Sequence, residues 1–79
     1  MLEGPALEAA RVLACITVPE LWLRYFTLGG VNTRADLNAL LRGDCAFGVA
    51  QYDVLAHALN ERFVELDLDH PVPYASDSR

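Results

Sequence analysis

Asp53, His57 and Glu61 are spaced four residues apart, so on a helix they fall along one stripe. An imidazole between two carboxylates favours its protonated form, and the same side chains could serve as metal ligands. The chemistry open to this stripe is a pH-sensitive salt link or a metal-dependent site. A metal needs a third or fourth ligand with supporting groups behind it, and carboxylate–histidine ladders are ordinary on solvated helix faces. A solvated face is the plainer reading, and no cofactor is expected. Asp67, Asp69 and His70 form a second acidic group near the C-terminal end. Asp-x-Asp resembles the opening of a calcium loop, but the glycine and closing glutamate of such a loop are missing. His57 and His70 could meet only if the tail folds back.

Other reactive chemistry finds little support. The only serines are Ser76 and Ser78, in the tail. Cys15 and Cys45 lie thirty positions apart, and Cys45 follows Asp44, which gives no electropositive setting for a thiolate. Both cysteines are expected as small buried thiols rather than as a disulfide. All six basic residues are arginine, so Schiff-base chemistry and a P-loop lysine are excluded. Arg34, Asn38 and Arg42 are spaced i, i+4, i+8 on a third helical segment that follows a helix and a Gly-Gly turn. That order is loosely like a helix-turn-helix, and Arg and Asn are the side chains that read guanine and adenine edges. DNA binding through helix three is therefore the alternative function. A net charge of −5 opposes it, because phosphate contacts depend on clustered positive charge.

The elements that must position these groups come from the apolar pattern. In a chain of 79 residues, 53% are hydrophobic and 22% charged, which excludes disorder of the whole chain. Surface scaling gives roughly 4,700 Å² folded against roughly 12,600 Å² unfolded, a small core that partners often supplement. Leu2, Ala6, Ala9, Leu13 and Ile16 predict a first helix from about Pro5 to Ile16. Thr17-Val18-Pro19-Glu20 is a capping box, and Val18, Leu21, Trp22, Tyr25, Phe26 and Leu28 predict a second helix that forms the core and stops at Gly29-Gly30. Thr33 and Asp36 open a third helix with Leu37, Leu40 and Leu41 inward and Gly43 as its stop. The fourth runs from about Val49 to Leu66, with Val49, Tyr52, Leu55, Ala56, Leu59, Phe63 and Leu66 on its apolar face. Pro71 and Pro73 then enforce an extended strap, which Leu68, Val72 and Tyr74 could lay across the bundle. Residues 75–79 are expected to fray.

No apolar run reaches the roughly 18–20 residues that span a bilayer, and the N-terminal stretch lacks the basic region of a signal peptide. A cytoplasmic protein without a membrane partner is expected. The segments LWLRYFTLGG (Leu21–Gly30) and LAHALNERFVELDLDHPVPY (Leu55–Tyr74) resemble short uncharacterised helical proteins of high-GC, actinobacterial-type genomes. That resemblance implies a small bacterial cytoplasmic protein and brings no functional residue set with it.

These readings combine into an all-α fold, a small three- to four-helix orthogonal bundle with an extended Pro-containing strap. Residues 1–74 form the single domain. The expected function is noncatalytic protein–protein interaction, as a bacterial regulatory adaptor or a homodimer. Leu23 projects beyond the apolar stripe of helix two, and Val54 and Val64 lie off that of helix four. Leu23 and Val54, with Arg24 and Arg62 as rim contacts, are the candidate interface. Either a partner or the tail must cover the surplus of apolar side chains.

Overall fold

The computed structural model describes residues 4–68 and 72–75. Four helices follow one another, α1 (Pro5–Leu13), α2 (Val18–Thr27), α3 (Arg34–Arg42) and α4 (Val49–Glu65), with no strand among the described residues. The fold is a small all-α bundle. α1 and α2 each pack on α3 and on α4. None of these helices is long and apolar enough to cross a membrane.

The helix starts follow from side-chain chemistry. Thr17 and Thr33 each accept a hydrogen bond from the backbone N–H three residues on, while Glu20 and Asp36 reach back to the threonine N–H. Each box satisfies two donors that the first turn of a helix otherwise leaves unpaired. The ends share one device. At the close of each helix a residue turns left-handed, and the next N–H bonds back across the last turn, as in Ile16 N–H to Arg11, Gly30 to Tyr25, Asp44 to Ala39 and Leu68 to Phe63. Glycine fills the left-handed position after α2 and α3, at Gly29 and Gly43. Cys15 and Asp67 fill it after α1 and α4, with φ of 53° and 61°.

This corrects the expected end of helix one. The apolar spacing carries through to Ile16, but the left-handed turn at Cys15 closes the helix at Leu13. The inward face differs too. Leu7 is buried and Ala10 packs against the core, whereas Ala6 and Ala9 are exposed and Leu13 is 71% exposed. Leu2 lies outside the described residues. Cys15 and Cys45 are both free and both exposed, not buried thiols, since one occupies a helix-end turn and the other the α3–α4 linker.

The core has Tyr25 at its centre, fully buried against Leu21, Leu37, Leu40, Leu55, Leu59 and their neighbours. The Phe47 ring, from the α3–α4 linker, tilts against Tyr25 with centroids 6.2 Å apart. The Tyr25 hydroxyl bonds Gln51 on α4 and accepts from both the backbone and side-chain N–H of Asn32, at 3.0 and 2.9 Å. Gln51 Oε1 also accepts from Val31 N–H at 3.0 Å, so one buried phenol pins the α2–α3 loop to α4. Phe26 and Val49, expected on inward faces, are 57% and 51% exposed. Burial is concentrated instead on Leu21 and Tyr25 in α2, and on Leu55, Ala56, Ala58, Leu59, Asn60 and Phe63 in α4.

Candidate functional site

The acidic–histidine stripe of α4 is occupied by the chain's own C-terminal strap. Asn60 lies on the buried face of α4, next to Leu59 and one turn before Phe63. A side-chain amide there must find partners, because a buried donor or acceptor left unpaired costs about 1–3 kcal/mol. It finds both on one residue. Asn60 Nδ2 donates to the Val72 carbonyl at 2.8 Å, and Val72 N–H donates to Asn60 Oδ1 at 3.1 Å. Two turns toward the start of α4, Asp53 Oδ1 accepts from Ala75 N–H at 2.6 Å.

Between them, His57 Nδ1 is 3.1 Å from the Tyr74 hydroxyl and His57 Nε2 is 3.6 Å from Glu61. The Tyr74 ring lies over the imidazole, centroids 6.4 Å apart and planes 29° from parallel. The strap therefore runs antiparallel to α4, with Val72, Tyr74 and Ala75 meeting Asn60, His57 and Asp53 in turn. Of the stripe, Asp53 takes strap backbone and His57 meets the Tyr74 side chain, while Glu61 stays beside His57.

Two depressions border the strap. One open cavity of about 550 Å³ is lined by His57, Asn60, Glu61, Val64, Glu65 and Tyr74. Glu65 is already engaged, because Arg24 donates to both of its oxygens at 2.6 and 2.7 Å and Arg62 stands 3.5 Å away. Those contacts hold the Glu65 carboxyl below its ordinary pKa, the Arg24 hydrogen bond foremost. On the strap's far side an apolar groove of about 230 Å³ runs between α1 and α4, where Ala9, Leu13, Tyr52 and Phe63 face Val72 and Pro73. Burial pushes the Tyr52 hydroxyl upward, and the nearby Asp53 charge adds to it. Among the described residues, no three His, Cys, Asp or Glu side chains converge to hold a metal ion. Asp67 serves the turn that ends α4, and Asp69 and His70 lie outside the described residues.

Of the remaining candidates, Asn38 and Arg42 border one depression and Arg24 and Arg62 converge on Glu65. Arg34 is exposed, while Arg42 is drawn 3.1 Å from Asp44 and Asn38 lines a shallow depression with Glu8 and Leu41. Leu23 is 59% exposed and Val54 is half-buried against the core. Arg24 bridges α2 to Glu65 at the end of α4, and Arg62 donates from Nε to the Ala14 carbonyl at 3.0 Å, tying the end of α1 to α4. Phe26 stacks on Trp22 with centroids 5.2 Å apart, and the Trp22 indole donates to the Asn32 carbonyl at 3.0 Å. Sequence reasoning gave no role to Asn60 and placed Phe26 on the inward face of α2. The available signal for Asn60 was an amide interrupting an otherwise apolar stripe; for Phe26 there was none, because its spacing matches a buried position.

Comparison of the chain with protein-family models, with curated proteins and with solved structures gives no match.

Proposed function

We propose that the chain is a noncatalytic protein-binding module, an adaptor of the bacterial cytoplasm, whose anchor is the outer face of α2. The observation that supports this is the pairing of Phe26, 57% exposed and stacked on Trp22, with Leu23 one turn earlier and 59% exposed. Aromatic and aliphatic anchors of this kind carry most of the energy of an interface. These two side chains offer on the order of 200 Å², against about 800 Å² per partner in a standard interface. They are thus a hot spot that needs a larger surround.

That surround is charged. Arg24, next to Leu23 in the chain, is paired with Glu65 and acted on by Glu20 and Glu61. With a net charge of −5 on every copy, pairing of like surfaces is opposed. The occupant that fits is a different protein, with an apolar ridge flanked by arginine or lysine.

The test is recovery of a stoichiometric partner from native lysate by the immobilised chain and by a Leu23→Glu/Phe26→Glu double variant with an unchanged circular dichroism spectrum. The expected result is at least a tenfold loss of one basic-surfaced partner with the variant. Equal recovery by both forms, or a micromolar dimer of the chain abolished by the variant, overturns the proposal.

A further inference from the structure

The strap is gripped chiefly through its backbone. Asn60 pairs with both the N–H and the carbonyl of Val72, as a neighbouring strand would, and Asp53 takes the N–H of Ala75. Between these contacts Pro73 needs no partner for a missing N–H and favours the extended backbone that the register requires. Side chains add selectivity at two points. Val72 is buried, 7% exposed, beside the α1–α4 groove, and the Tyr74 hydroxyl meets His57. α4 therefore carries a four-residue recognition site with a defined direction and register.

We infer that this groove is a binding site for an extended aliphatic–proline–tyrosine segment, and that a second copy of the chain fills it in trans with its own residues 72–75. The segment and its groove belong to one chain, so every further copy carries both halves of the match. Exchange replaces each contact by an identical one, and the opposing term is the entropy of association. The covalently attached strap acts at an effective concentration in the millimolar range. Exchange between intact chains is therefore confined to that range, and appears at lower concentration once the attached strap is spoiled. This site is separate from the outer face of α2 and stands or falls without it.

The experiment mixes two full-length variants. Val72→Asp spoils the strap and keeps the groove; Asn60→Ala spoils the groove and keeps the strap. With the Val72→Asp chain labelled with nitrogen-15, adding the unlabelled Asn60→Ala chain should shift the Asn60 side-chain amide resonances saturably, with a midpoint below about 1 mM. A donor carrying both substitutions should leave them in place. If Val72→Asp does not fold, Ala75→Pro replaces it, since it removes the N–H that donates to Asp53 and restricts the backbone of Tyr74. If Asn60→Ala does not fold, a synthetic peptide of residues 70–77 is the donor. Resonances unmoved up to that concentration, or moved equally by the doubly substituted donor, overturn the inference. Repeating the titration with Leu23→Glu/Phe26→Glu in both chains should give the same midpoint, which separates it from docking at α2.

Discussion

Cys15 occupies a backbone conformation that a Cβ atom disfavours, with φ of 53°, at the turn where α2 uses Gly29. For a residue other than glycine this conformation costs about 1–3 kcal/mol, partly offset by the entropy that glycine itself loses on folding. Cys15→Gly should therefore stabilise the chain by about 0.5–1 kcal/mol, read as a higher urea midpoint with an unchanged slope, whereas Cys15→Ala should leave the midpoint in place. This single residue also explains why the end of α1 was not legible. Periodicity reports which side chains face inward, and it carries no information about a left-handed turn made by a residue that seldom makes one. Asn60 is a related case, because its value lies in a strap twelve residues away that no local pattern can supply.

At the scale of elements, starts and stops were legible wherever the chemistry is local. The boxes at Thr17 and Thr33 and the stops at Gly29 and Gly43 all stand where their residue types place them. The inward stripes of α3 and the middle of α4 were legible for the same reason. The faces of α1 and α2 were less so, since short helices with surplus apolar residues can bury more than one stripe, and packing chose Leu7 and Tyr25 over Leu13 and Phe26. The α2–α3 connection shows how tightly that choice is enforced. A Cβ on Gly30 would fall 2.3 Å from the Tyr25 ring, while one on Gly48 would meet nothing within 4 Å. Gly30→Ala should cost about 2–3 kcal/mol by overpacking, and Gly48→Ala should be near neutral. Urea denaturation of the two variants checks the contrast.

For the whole molecule, the polar ties outside the core run through arginine. Arg24 joins α2 to α4 and Arg62 joins α4 to the end of α1, while Arg11 braces α1 and its closing turn through both oxygens of Glu8 and the Ile16 carbonyl. The carboxyls of Glu8 and Glu65 are held below their ordinary pKa, each chiefly by its arginine hydrogen bond; Glu20 is lowered chiefly by the Thr17 side chain. A pKa lower in the folded chain means that the unfolded chain binds more protons in the acid range. Stability from these contacts is complete above the unfolded carboxyl value of about 4.3 and disappears as pH falls through the lower, folded values. The urea midpoint of the native chain should therefore fall below about pH 4, modestly because these carboxyls are solvent-exposed, and Glu65→Gln, less stable at neutral pH, should lose less over the same interval. An equal acid slope in both forms would contradict the assigned role of the Arg24–Glu65 tie.

The chain has one tryptophan, Trp22, with one ring face against Phe26 and its indole N–H on the Asn32 carbonyl. Its fluorescence is thus a native optical reporter at the edge of the α2 surface. A protein that covers Phe26 removes water from the indole and moves its emission toward the blue, whereas events confined to Asn60 leave the spectrum unaltered. Light emitted by an unlabelled sample can tell which of the two surfaces has been engaged.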